Sequence, residues 1–180
     1  MIPYHGLMPS NVSAAMSIQS PLDLLLDQIR DLYSAESQVV LTLPELAALS
    51  PEENLRNLLL RFEQHAMSHK ERMKEACDRL ESTPDGDICK AMQGLIEGGN
   101  QHIGQAKGRE TKALILIAHA NRILHYQIGG YSFATALAGQ LGLEEIEALL
   151  NTTLREENAG VCALADAAGD ILQRVPEEPH

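Results

Sequence analysis

The stretch of sequence that decides the fold is residues 55–80, which reads LRNLLLRFEQHAMSHKERMKEACDRL. Its apolar residues recur every three or four positions, and that spacing predicts a long amphipathic helix with one face toward a core. His65 and His69 stand where the apolar stripe should continue, and their four-residue spacing puts them one turn apart on the same face. We therefore expect both imidazoles to point inward and the middle of the core to be polar.

Three other long segments show the same helical period, and each has one polar residue in the middle of its apolar stripe. The first begins at Ser20-Pro21, a capping residue followed by a proline at the first helical position, and it contains Glu36. The two later segments contain Gln127 and Glu157 at corresponding positions. Since these residues lie near the centres of their helices, we expect them to form one polar layer with the two histidines.

The number and length of these helices predict the fold class. Four helices of about 28 residues, each roughly 40 Å long, bury their stripes by packing as an all-α four-helix bundle. A shorter helical segment at residues 88–96 lies between helices 2 and 3, in a connection that is either a crossover or a simple up-down link. We expect a flexible N-terminal arm at residues 1–20, the bundle at residues 21–173 and a frayed tail at residues 174–180.

Composition and charge indicate which binding partners and which cellular compartment to expect. The chain has 180 residues and a formal net charge of -11, which disfavours phosphate-rich partners, so we expect neither nucleic acid nor a membrane as a partner. Its three cysteines, Cys77, Cys89 and Cys162, are an odd number without a CxxC pair, which indicates a reducing compartment. The sequence shows no signal-peptide pattern and no apolar stretch long enough to span a bilayer. We therefore expect a cytoplasmic protein.

The polar layer needs a chemical explanation, because a buried carboxylate without a partner is costly. Two interpretations remain open from the residues alone. In one, Glu36, Glu157 and the histidines bind a metal cation, as such residues do in bundles that hold two iron or manganese ions. In the other, the same side chains hydrogen-bond to one another and specify the helix register. Two further histidines, His119 and His125, are expected off the stripe, at the surface or edge.

Four short stretches resemble a known family. They are Asp31-Leu-Tyr-Ser-Ala-Glu36, Ala91-Met-Gln-Gly-Leu-Ile-Glu97, His125-Tyr126-Gln127-Ile128 continuing to Tyr131, and Leu154-Arg-Glu-Glu157. Together they resemble the YciE/YciF-type ferritin-like family of bacterial stress-associated proteins, over about residues 21–172. The resemblance implies a ferritin-like four-helix bundle with a short extra helix in the crossover, a homodimer, and a possible di-metal site without an established reaction.

The resemblance also implies which residues would bind metal. By position, the candidate ligands are Glu36 on the first helix, His65 on the second and Glu157 on the fourth. His69 and Gln127 are possible additional ligands, because they share the same polar layer.

This chain departs from the family pattern at three positions. Leu124 and Gln127 stand where acidic residues are usual, and Ser68 stands where an acidic or amide residue is usual. A di-iron centre needs about four carboxylates, so we expect no full di-iron centre and at most a single iron, manganese or zinc ion. The leading hypothesis is a non-catalytic, stress-associated bundle with a depleted or absent metal site. The alternative is a metal-dependent oxidase or peroxidase that uses iron or manganese.

Overall fold

A computed structural model describes residues 18–174 of the chain. Those residues form five α-helices and no strand: α1 (Pro21–Leu49), α2 (Glu53–Arg79), α3 (Lys90–Gln105), α4 (Arg109–Gln140) and α5 (Glu144–Leu172). The all-α prediction is therefore confirmed. Most of the predicted arm at residues 1–20 and nearly all of the predicted tail at residues 174–180 lie outside the described residues.

The start of α1 forms as its sequence predicts. The Ser20 hydroxyl accepts a hydrogen bond from the Asp23 backbone N–H at 3.1 Å, and the Asp23 carboxylate accepts one from the Ser20 N–H at 2.9 Å. This reciprocal arrangement satisfies N–H groups that have no partner within the helix, and Pro21 has no N–H to satisfy.

Short connections make the four long helices pack in antiparallel pairs. Residues 50–52 join α1 to α2, and residues 141–143 join α4 to α5. α1 also packs along α4, and α2 along α5, so α2 and α4 lie diagonally across the core from each other. The short helix α3 packs on the outside of α4 and α1.

Ion pairs at one end of the molecule show which helix termini lie together. The Glu52 carboxylate, just before α2, contacts Arg109 at the start of α4 at 2.8 Å and Arg174, after α5, at 3.0 Å. α2 and α4 therefore start at the same end and run in the same direction. Since α2 finishes at the opposite end, the segment that contains α3 returns the chain along the length of the molecule.

The core consists of two apolar clusters with a polar layer between them. The cluster nearer the start of α1 is built around Leu25, Ile29, Leu32, Met73, Tyr131, Ile146 and Leu150. The larger cluster toward the other end is built around Val39, Leu43, Leu59, Phe62, Leu116, Ile123 and Leu164, with Met92 and Ile103 of α3. Between the clusters, Glu36, His69, Gln127 and Glu157 are all buried. Four of the five residues predicted for the polar layer therefore lie in the middle of the core, and His65 is the exception.

Two predictions about histidines off the stripe have different outcomes. His125 is exposed, as expected. His119 was expected at the surface or edge, and this is wrong, because its side chain is only 1% exposed. The burial comes from α3, which covers the outer side of α4 at this height. Within residues 18–174, no helix combines the length and the apolar character that a membrane span requires.

Candidate functional site

Glu36 is the fully buried carboxylate at the centre of the polar layer. The Tyr131 hydroxyl on α4 donates a hydrogen bond to Glu36 Oε1 at 2.7 Å, and His69 Nδ1 on α2 lies 3.2 Å from the same oxygen. Glu36 Oε2 has no hydrogen-bond partner among the described residues. One carboxylate oxygen is thus saturated, whereas the other is available to a ligand.

His69 links three carboxylates through its two ring nitrogens. Its Nδ1 atom lies 3.2 Å from Glu36 Oε1 and 3.1 Å from Glu157 Oε1, and its Nε2 atom lies 2.9 Å from Glu156 Oε2. A neutral imidazole donates from only one nitrogen, whereas an imidazolium donates from both. The surroundings of His69 therefore favour its positively charged form.

His65 does not lie in the polar layer, contrary to the sequence prediction. Its side chain is exposed, and the buried face of α2 runs from Phe62 through Ala66 to His69. The reason is helical geometry: each residue turns the helix by about 100°, so the step from Phe62 to Ala66 keeps the inward direction, and His65 points toward solvent beside it. His65 reaches only the rim of the cavity next to His69, with ring centroids 6.2 Å apart.

An ion pair outside the predicted site residues supports His69 from the solvent side. Arg72 makes two contacts with the Glu156 carboxylate, at 2.6 and 3.0 Å, and also donates to Thr153 at 3.2 Å. Arg72 and Glu156 are partly exposed, at 23% and 32%. Sequence reasoning missed both, although Arg72 lies three residues after His69, a spacing that places the two on one face of α2.

Gln127 is fully buried beside this cluster, and its amide oxygen and nitrogen have no hydrogen-bond partner within the described residues. It lines a cavity of about 10 Å³ together with His69 and Glu157, and this is roughly the space that one water molecule needs. Leu124, at 3% exposure, contributes an apolar wall to the same cavity. Ser68 is exposed and bonds to the Gln64 carbonyl of its own helix at 3.1 Å. α4 therefore contributes an amide and no carboxylate to the layer.

The electrostatics of the cluster follow from burial and from opposite charges. Burial by itself lowers the pKa of His69, but the hydrogen bonds and charges of Glu157 and Glu36 outweigh it and raise the pKa to about 10. Burial raises the pKa of Glu157 to about 7, although contact with His69 opposes this change. Burial also acts to raise the pKa of Glu156, but Arg72 and His69 lower it on balance. The contacts with Glu157 and Glu36 therefore favour the protonated, positively charged form of His69 near neutral pH.

The donor set decides which metal centre this site can accept. Ligand atoms of Glu36, His69 and Glu157 all lie within 4.8 Å of one another, which is compatible with a single ion. Two carboxylates and one imidazole are fewer than the four glutamates and two histidines of a di-iron bundle site. The side chains present do not fit a di-metal centre, and they fit one ion only if His69 gives up a proton.

Comparison with known proteins places the chain in a family. A family model described as "Domain of unknown function (DUF892)" matches residues 20–175. Protein YciF of Escherichia coli (strain K12) is 31% identical over 170 residues, which span 90% of this chain and 98% of YciF.

Two solved structures are also similar. One is the crystal structure of the E. coli stress protein YciF, with a TM-score of 0.84 and 30% identity over 88% of this chain and all of that one. The other is YcfI of Rhodopseudomonas palustris, a proposed structural protein, with a TM-score of 0.80 and 30% identity over 83% of this chain and 95% of that one. These matches confirm the resemblance found in the sequence: the chain belongs to the DUF892 family and is similar to YciF.

Proposed function

We propose that this protein is a ferritin-like, stress-associated bundle protein whose central site lacks a di-metal centre and catalyses no reaction. The topology supports the ferritin-like assignment, because α2 and α4 are diagonal and run in the same direction, with α3 in the connection between them. Its similarity to a relative described as a stress protein supports the physiological class.

One observation carries the proposal: His69 Nδ1 lies between Glu36 Oε1 and Glu157 Oε1, at 3.2 and 3.1 Å. In a metal-binding bundle, a cation between such carboxylates balances their charge. Here the histidinium supplies the positive charge, and its other nitrogen is engaged by Glu156 at 2.9 Å. The charged groups of the protein itself thus compensate carboxylate charge in the layer, and the role of the layer is to specify one register of the helices.

Two further observations support the absence of a di-metal centre. One is the residues that stand on α4 in place of acidic ones, and the other is the outward direction of His65. Leu124 and Gln127 provide no negative charge to the layer, and His65 is turned to solvent. A second metal ion would therefore have neither enough carboxylates nor a second imidazole within the layer.

Elemental analysis of the purified full-length protein tests the proposal. The protein is expressed in medium supplied with iron, manganese and zinc and purified without chelator, and metal is counted per chain. We expect well below one ion per chain. Stoichiometric iron or manganese would overturn the proposal.

A second candidate function is a metal-dependent oxidase or peroxidase with one iron or manganese ion. It is favoured by the convergence of Glu36, His69 and Glu157 on one point, with Glu36 Oε2 and the amide of Gln127 unpaired beside it. In this alternative His69 takes the ligand role that the sequence assigned to His65. A bound iron or manganese ion would supply the redox chemistry for the reduction of oxygen or peroxide.

The second candidate has its own test. Purified protein is incubated with Fe²⁺ or Mn²⁺, and bound metal and peroxide consumption are measured for the wild type and for Glu36→Ala. This candidate predicts that the variant loses both. Equal metal content and equal peroxide consumption in the two proteins would eliminate it.

We also propose that the protein acts as a homodimer through the outward face of α4. Residues 123–143 contain no Asp, Glu, Lys or Arg, in a chain whose net charge is -11. The outward positions of this segment include Gly129, Ser132 and Phe133, and Phe133 is 48% exposed. A two-fold interface brings each patch against its own copy, so an uncharged patch avoids like-charge repulsion.

Sedimentation velocity distinguishes the dimer from the monomer. Phe133→Glu puts a negative charge on the proposed interface and is expected to give a monomer. Leu41→Glu is the matched control, because Leu41 on α1 is 73% exposed and lies on another helix. A monomeric wild type, or a dimer that survives Phe133→Glu, would refute this interface.

A further inference from the structure

A second buried histidine, His119, lies outside the polar layer and at the contact between α4 and α3. Its side chain is 1% exposed, and its Nε2 atom has no hydrogen-bond partner among residues 18–174. A buried ring nitrogen without a partner is unusual and needs an explanation. The site accommodates a neutral imidazole and offers nothing to stabilise a proton on Nε2.

α3 meets His119 with a glycine. A Cβ atom built on Gly99 would lie 1.9 Å from His119 Nδ1 and 2.0 Å from its Cε1 atom, far inside any permitted contact. The imidazole ring therefore occupies the space that a side chain at position 99 would need, and it packs directly on the backbone of α3. The contact of this ring with Gly99 is therefore one of the contacts that dock α3 on α4.

The charged groups around His119 are all of one sign. On α4, the group that acts on it is Arg122, and on α3 it is His102. α1, the other helix against α3, contributes no charged group to this environment within the described residues. Burial, followed by these positive neighbours, lowers the pKa of His119 below its usual value.

The start of α3 is anchored by hydrogen bonds, whereas its second half contains three glycines. The Cys89 N–H donates to Ser34 at 2.9 Å, the Tyr126 hydroxyl donates to Asp31 at 2.9 Å, and Cys89 Sγ lies 3.0 Å from that hydroxyl. Further along α3, Gly98 and Gly104 contact nothing within 4 Å on their Cβ side. Each glycine costs a helix about 1 kcal/mol relative to alanine, so the second half of α3 has low intrinsic stability.

We propose that the second half of α3 is an acid-released flap, held in place by the packing of the neutral His119 ring on Gly99. In the docked state the imidazole is neutral and dry. In the released state it reaches water and takes up a proton with an ordinary affinity, so acid favours release. Release also exposes Ile103, which is 6% exposed when α3 is docked. The first half of α3 stays in place, held by the bonds of Cys89 and by the buried side chain of Met92.

The direction of the pH dependence follows from proton uptake. Because only the released state binds the proton readily, docking is fully stable above about pH 6.5 and weakens as the pH falls below that value. The weakening stops when the pH reaches the lower pKa of the docked histidine.

Hydrogen exchange in the full-length protein tests this flap. Amide protection of residues 98–105, corrected for the intrinsic effect of pH on exchange, is compared at pH 7.5 and pH 5.0. We expect protection to fall in the wild type at pH 5.0, because only the released state takes up a proton readily. His119→Phe keeps a ring on Gly99 but cannot titrate. In this variant, the amide protection of residues 98–105 is therefore expected to change little between the two pH values. His125→Phe is the control, because His125 is exposed on the same helix, and it should respond like the wild type.

Two results would overturn the proposal. One is constant protection in the wild type between the two pH values, and the other is an equal fall in His119→Phe. Should His119→Phe not fold, an NMR titration of His119 in the wild type decides. A pKa below 6.5 supports the flap, and a value of 6.5 or higher contradicts it.

Discussion

His69 Nε2 lies 2.9 Å from Glu156 Oε2, and this contact joins the buried carboxylate layer to the surface of the protein. The inner nitrogen of the same ring faces Glu36 and Glu157. Glu156 is in turn held by Arg72. Charges therefore alternate in sign from the solvent to the centre of the core, and this alternation makes a buried ionic layer tolerable.

Removal of the His69 imidazole should lower the stability of the protein strongly. His69→Gln leaves Glu36 and Glu157 without their cationic partner, and breaking a buried ion pair in this way costs roughly 3–5 kcal/mol of unfolding free energy. Urea denaturation of the variant and the wild type measures the difference. His65→Gln is the matched control, one turn away and exposed, with an expected change within about 0.5 kcal/mol. Equal effects of the two substitutions would contradict the assignment of His69 to the layer.

Stability should decline at alkaline pH. The pKa of His69 is raised to about 10 in the folded protein by Glu157 and Glu36, against the effect of burial. Its contribution is therefore fully present below about pH 6.5, the usual value for histidine, and is lost as the pH rises through about 10. Denaturation curves between pH 7 and pH 10.5 measure this decline. His69→Gln should show a flatter profile, and a wild-type profile equally flat would show that the histidine is not held charged.

The outer ion pair should make a smaller contribution than the buried one. Arg72→Met removes the partner of Glu156 and frees the carboxylate to turn toward solvent, so we expect a loss of about 1 kcal/mol. Arg79→Met provides the comparison, because its pairs with Glu75 and Glu145 are exposed at the surface. Thermal unfolding of both variants measures the difference. We expect Arg72→Met to cost more stability than Arg79→Met. A larger loss for Arg79→Met would contradict this expectation.

Replacing two glycines of α5 by alanine should change the stability of the protein in opposite directions. At Gly160 an added Cβ would lie 2.8 Å from Leu124 Cδ2 and 3.3 Å from Phe62 Cε1, so Gly160→Ala overpacks the wall of the central cavity and should cost roughly 1–3 kcal/mol. At Gly169 nothing lies within 4 Å, and Gly169→Ala should stabilise by up to about 1 kcal/mol through helix propensity. Urea denaturation of each single variant checks the sign of the change.

A carboxylate placed at position 127 of α4 should make the stability of the protein depend on a bound metal ion. Gln127→Glu adds a third buried carboxylate to the layer, in the cavity that Glu157 also lines, and like-charge repulsion should destabilise the metal-free protein. Added Mn²⁺ should then raise the melting temperature of this variant, because a cation that binds the folded state stabilises it. The wild type and Gln127→Leu serve as controls and should shift little. A wild type that shifts as much as Gln127→Glu would favour the single-metal alternative.

The inward positions of the central polar residues on α1, α4 and α5 were predictable, because each lies in an apolar stripe with the helical period. On α4, Gln127 is buried as predicted, together with apolar residues of the same stripe such as Leu124 and Tyr131. On α1 and α5 the central carboxylates, Glu36 and Glu157, are also buried as predicted. A periodic apolar pattern determines which side of a helix faces the core, and a polar residue within it is buried with its neighbours.

The partners of His69 were predictable only in part. On α2, steps of three and of four from Phe62 lead to His65 or to Ala66, and the sequence does not choose between them. The contribution of Glu156 depends on how α5 is rotated against α2, and the burial of His119 depends on where α3 docks. Both depend on how helices that are distant in sequence pack against each other. The apolar period of a single helix does not predict this packing.

The sequence by itself determined the helices, the all-α class, the family and the presence of a polar layer, because helical period and residue type act locally along the chain. Only the tertiary structure decided which histidine enters that layer and which groups balance its charge. The physical reason is that an ion pair depends on distances of a few ångströms between helices. Those distances are set by the packing of the whole core around Glu36 and His69.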